Sequence, residues 1–168
     1  MDESYIGDSY DLVKRFFCQA LGPIAPLYAH PQFVPLAIRE AYVAATTIPI
    51  LGTRPENGFG ILLDPDKGVC MGRATRKHAS LSLISEVNRG LCPKYIVCFD
   101  QSFDRNRDRR EQMRAKGKIL RGEGLWSLYY VSHASFLLAA KGAEALEVIA
   151  GALRSAGIPS SRLEGPWL

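Results

Sequence analysis

Hydrophobic positions along the chain fall into blocks with different periods. Between Asp8 and Gly22, the apolar residues Leu12, Val13, Phe16, Phe17 and Ala20 recur at helical spacing, behind an N-capping Asp8 and ahead of a Gly22-Pro23 stop. Pro23, Pro26, Pro31 and Pro35 punctuate the next stretch, which reads as a loop. Pro35 suits the first turn of a second helix that presents Ile38, Ala41, Tyr42 and Ala45 on one face and stops near Pro49. Residues 60–64 and 69–72 read as two arms of a hairpin around the turn Pro65-Asp66-Lys67-Gly68. Leu81, Ile84, Val87 and Leu91 predict a short helix closed by Pro93.

The stretch Tyr95-Ile-Val-Cys-Phe99 is apolar on both faces, which predicts a strand buried in the middle of a sheet. A helix follows from about Asp104 to Arg121, so poor in apolar residues that most of its surface must face solvent. Strands are expected at 126–131 and 136–140, then a last helix with Leu146, Ile149, Ala150 and Leu153 inward, ending near Gly157. Strand, helix and strand within some forty residues is the pattern of a βαβ unit. The fold class expected is α/β (or α+β): a mixed sheet with its central buried strand at 95–99, flanked by helices, in a single domain over residues 1–168.

Composition narrows the class. At 168 residues, 47% hydrophobic and 23% charged, the chain is long and apolar enough to bury a core, which excludes general disorder. No apolar run is long enough to span a bilayer, and the acidic N-terminus MDESYIGDSYD lacks the apolar block of a secretory signal, so a cytoplasmic protein without membrane contact is expected. Cys18, Cys70, Cys92 and Cys98 form no CxxC pair and read as reduced thiols. Positive charge is local. Residues 102–121 hold eight basic side chains against three acidic ones, more than the whole chain's net +4, so the remainder is slightly acidic.

Candidate chemistry gathers where strands end, because open α/β sheets bind ligands beyond the carboxyl ends of their strands. Asp100, Gln101 and Ser102 follow the strand at 95–99, and Ser132 and His133 follow the one at 126–131. If both strands run the same way, Asp100 as base or metal ligand, His133 as proton shuttle and Ser132 share one rim. Asp64, two residues before Asp66, could hold a divalent metal with Asp100, although Asp-Pro-Asp-Lys-Gly equally suits a turn. The segment 72–80, with Arg73, Thr75, Arg76 and Lys77 ahead of a helix, suits an anion such as phosphate, and Gln101 and Ser102 would complete that ligand site. It lacks the glycine spacing and Gly-Lys-Ser/Thr of a P-loop. Arg107, Arg110, Arg114 and Lys118 form the candidate nucleic-acid surface.

The order Asp64, Glu86, Asp100 resembles the carboxylate order of the ribonuclease H-like nucleases. With Ile84, Val87 and Leu91 facing inward, the helical repeat turns Glu86 to solvent, so the resemblance is not carried further. Three readings stand: a protein that binds a phosphate-containing ligand, as a metal-dependent phosphodiesterase or nucleotide-processing enzyme would; a non-catalytic nucleic-acid-binding module; and a structural or assembly protein with a basic face. Oligomeric state is not legible.

Overall fold

The computed structural model describes residues 5–72, 75 and 77–166. Its first helix, α1 (Ser9–Leu21), is capped by the Asp8 carboxylate, which accepts from the backbone N–H groups of Tyr10 and Asp11. The expected apolar face is rotated. Leu12 is exposed, while Asp11, Lys14, Phe17 and Leu21 are buried. The stretch expected as a plain loop contains β1 (Leu27–Ala29), too short to show a period, with Leu27 and Ala29 buried. A 3-10 turn then leads into α2 (Arg39–Thr46), with Ile38 and Tyr42 inward as expected and Ala41 exposed.

The hairpin expected around residues 64–68 does not form. β2 (Gly60–Leu63) instead lies between two parallel partners, β1 and β5 (Tyr95–Phe99), so neither of its edges is left for a return strand. The turn itself is retained, and Gly68, at φ +101°, sends the chain into β3 (Gly68–Cys70), which pairs in parallel with β4 (His78–Ser80) in a separate two-stranded sheet. Ser80 caps α3 (Leu81–Leu91), whose Leu81, Ile84 and Val87 are buried as expected and whose Glu86 is exposed.

The basic helix starts later than its composition suggests. α4 spans Arg109–Gly122. Ahead of it Asp104 accepts from the Asn106 N–H in a local turn, and the Gln112 amide ties the carbonyls of Asp104 and Arg107. These bonds compete with helix formation until Asp108 supplies the cap. One face of the helix is turned inward: Gln112, Met113, Lys116, Gly117 and Leu120 are buried.

β6 (Trp126–Tyr130) and β7 (Phe136–Ala140) form an antiparallel hairpin, and β7, not β6, pairs with β5. The expected βαβ unit is therefore split. β5 and β6 run the same way, with β7 inserted antiparallel between them. α5 (Ala143–Ser155) buries Leu146, Ile149, Ala150 and Leu153, and β8 (Leu163–Glu164) closes the far edge. The order of the six-stranded sheet is β1-β2-β5-β7-β6-β8, a mixed α/β arrangement with β5 central and buried throughout. One apolar cluster joins Phe17, Tyr42, Leu62, Val97 and Leu146 on the side of α1, α2 and α5. The other joins Ile61, Ile84, Ile96, Met113 and Leu120 on the side of α3 and α4. No helix of the described residues is long and apolar enough to cross a membrane.

Candidate functional site

After β1 the chain crosses outward, where Ile50 bridges Ala29 in parallel, then returns to the other side of β1 as β2. The hollows at this end of the sheet open one strand further in, beyond the carboxyl ends of β2 and β5, the side on which open α/β sheets bind ligands. Alternation along the strands then decides where each terminal carboxylate goes. Asp64 follows Leu62 onto the α1 face, and Asp100 follows Cys98 onto the α4 face.

Each carboxylate meets a buried lysine. Asp64 Oδ2 lies 2.6 Å from Lys14 Nζ, which also binds Asp11 Oδ1 at 2.8 Å. Burial pushes the Lys14 pKa down, but Asp64 and Asp11 together outweigh it and leave it raised. Burial raises the Asp64 carboxyl, with Lys14 opposing. On the other face, Asp100 is wholly enclosed. Its Oδ1 accepts from the N–H groups of Val69 (2.8 Å) and Ser102 (3.0 Å), and its Oδ2 from Lys116 Nζ and the Tyr129 hydroxyl, both at 2.7 Å. Burial lowers the Lys116 pKa, with Asp100 pulling it back up.

This geometry corrects the chemistry expected of Asp100. Four donors saturate a carboxylate that solvent does not reach, so it fastens β5, β3, α4 and β6 together and is not placed as a base. The metal pair fails for a related reason. Asp64 and Asp100 occupy opposite faces of the sheet, each already balanced by an ammonium group, and no group of three or more metal-ligating side chains gathers among the described residues.

The carboxyl ends of β5 and β6 lie at one rim, joined through the turn that leads into β7. Asp100 N–H donates to the Ser135 carbonyl at 2.9 Å, and the Gln101 amide donates to the His133 carbonyl. Yet His133 meets this rim through its backbone. Its ring is exposed and lies 5.8 Å from the Tyr10 ring, on the face away from the Asp100 carboxylate. Ser132 is engaged in the turn, its hydroxyl donating to Ala134 O at 2.7 Å. Thr75 Oγ1 lies 2.8 Å from His78 Nδ1, and Lys77 is exposed nearby. Arg73 and Arg76 lie outside the described residues.

Two adjoining hollows open at this rim. The inner one, about 250 Å³, is walled by Asp8, Tyr10 and Lys14 of α1 and its cap, by Asp64 and Asp66 after β2, and by Phe99 and Gln101. The outer one, about 410 Å³, shares Asp66 and Gln101 and adds Lys67, His78, Ser102, Phe103 and Asp104. The inner wall is acidic, three carboxylates against one ammonium, and aromatic: Tyr10 meets Phe99 edge to face at 5.4 Å. Gln101, Ser102 and Asp64, and His78 within the segment 72–80, were candidates in the sequence and line these hollows; Tyr10, Lys14, Phe99 and Lys67 were not singled out. The available signal was Lys14 occupying a slot in the same helical stripe as Phe17 and Leu21. Comparison with protein-family models, with curated proteins and with solved structures gives no match.

Proposed function

We propose that this domain binds a nucleotide unit across the two hollows, with the base against Tyr10 and Phe99 and the phosphate toward Lys67 and His78. The observation that carries the reading is the make-up of the cleft: an inner lobe walled by Tyr10, Phe99 and carboxylates, opening into an outer lobe that Lys67 and His78 line beside Asp66 and Asp104. Carboxylates at Asp8 and Asp66 suit the amino groups of a base and the hydroxyls of a ribose, and would repel a phosphate placed among them. The phosphate therefore belongs at the outer margin of the second hollow, toward His78 and the exposed Lys67 and Lys77 and away from Asp66 and Asp104. The two volumes together fall within the range of roughly 300–1,000 Å³ typical of small-molecule sites. The reading is one of binding; no side chain at the rim is assigned a catalytic step. Four free thiols fit a reducing compartment such as the cytoplasm.

Calorimetric titration with nucleoside monophosphates and the matching nucleosides tests this. Tyr10→Ala should weaken both ligands, since an aromatic platform contributes about 1–3 kcal/mol per base. Lys67→Gln should weaken the monophosphates alone. Absence of binding at millimolar ligand, or ligands indifferent to Tyr10, would remove the reading.

A further inference from the structure

The cleft lies beside the densest positive charge on the protein. Beyond Ser102 the chain runs through Phe103 and Asp104 along the outer hollow, then directly into Arg105 and Arg107 and the cap of α4. α4 sorts its side chains cleanly: Met113, Lys116, Gly117 and Leu120 face the core, while Arg110, Arg114, Lys118 and Arg121 are exposed, at steps of four, four and three residues. At 1.5 Å rise per residue these cations succeed one another every ~5–6 Å along a ridge of about 16 Å.

Little of this charge is neutralised within the molecule. Arg110 pairs with Glu164 at 2.9 Å, and Arg121 lies 3.8 Å above the half-buried Trp126 ring. Arg107, Arg114 and Lys118 enter no ion pair among the described residues. Of the nearby acids, Asp108 is occupied as the helix cap, and the exposed Glu111, on the same face as Arg114 and Lys118, forms no ion pair with either among the described residues. Aligned, unneutralised cations running away from a base-sized acidic hollow match a chain of phosphates carrying bases.

We propose that Arg107, Arg110, Arg114 and Lys118 carry the phosphodiester backbone of a single-stranded nucleic acid, one unpaired base of which occupies the cleft. The inference rests on the nucleotide reading and deepens it by naming a polynucleotide as the ligand. A single strand is specified because a paired, stacked base cannot reach a closed hollow without being unstacked first.

The test is fluorescence anisotropy with a labelled 12-nucleotide single strand, its duplex, and poly-glutamate as competitor, across a salt series. The wild type should prefer the single strand at least tenfold over the duplex. The triple variant Arg107→Gln/Arg114→Gln/Lys118→Gln should lose at least tenfold in affinity and flatten the log–log salt slope by about 2, as expected for three lost phosphate contacts at roughly 0.7 each. Unchanged affinity of the triple variant, equal or tighter duplex binding, or poly-glutamate competing as well as the unlabelled strand would each overturn the proposal, the last in favour of an acidic protein partner. Tyr10→Ala separates the two readings. If it leaves single-strand binding intact while the triple variant abolishes it, the ridge stands and the cleft reading fails. If monophosphates bind but the strand does not, the cleft stands and the ridge fails.

Discussion

Lys14 and Lys116 each sit where the helical repeat calls for an apolar side chain, and each ends against the carboxylate that terminates a central strand. A long cation inside an apolar stripe was therefore the sign, readable in the sequence, of a buried acid elsewhere; its identity was not readable, because the partner is 16 residues away in one case and 50 in the other. Lys116→Met should destabilise the protein by about 3–5 kcal/mol in urea unfolding, because it leaves the enclosed Asp100 charge without its counter-ion. A loss under 1 kcal/mol would mean that Tyr129 and the two backbone donors suffice. His30 gives a pH-dependent counterpart. Its Nδ1 accepts from the Gln32 N–H at 3.3 Å, and burial holds its pKa below the ordinary 6.5. Between the folded value and 6.5 the unfolded chain binds more protons, so stability rises with pH in that window and falls as the medium is acidified through it. Denaturation at pH 7 and pH 5 should show a smaller acid loss in His30→Asn than in the wild type.

Elements with a long, clean period were legible from the sequence: the helices at both ends, the one after Ser80 and the strand at 95–99. The short parallel strands were not. Three residues carry no period, and β3 and β4 pair with each other while both edges of β2 are held by β1 and β5. The site inherits this asymmetry, since its strand-end residues could be located but the α1 residues opposite them could not. Gly68 is the hinge of the misread hairpin. At φ +101° it passes so close to β5 that an added Cβ would lie 2.5 Å from Gln101 N and 2.8 Å from Asp100 Cα. Gly68→Ala should thus cost about 2–4 kcal/mol, from a strained backbone and an overpacked contact together, measured as a shift of the urea midpoint. A near-neutral result would show that the 64–70 turn can lift away from β5.

At the scale of the whole molecule, the charges inside are paired, and unpaired positive charge gathers on the outer face of α4. Val97 is fully buried between partners on both sides, so Val97→Asp should prevent folding, seen as loss of cooperative thermal unfolding. The triple substitution at Arg107, Arg114 and Lys118 should leave the melting temperature nearly unchanged, because exposed charges contribute little to stability. The inserted position of β7 has a consequence for synthesis. As the chain emerges from a ribosome, β5 acquires its first neighbour from residues already made, but its second edge stays open until residue 140 is available, after α4 and β6 have been completed. During that interval a long apolar strand offers an unpaired row of N–H and C=O groups to any other nascent chain. A fragment ending at residue 131 should accordingly self-associate in a sedimentation assay, and adding residues 132–168 should suppress it, which would make the last thirty-seven residues a built-in guard against aggregation.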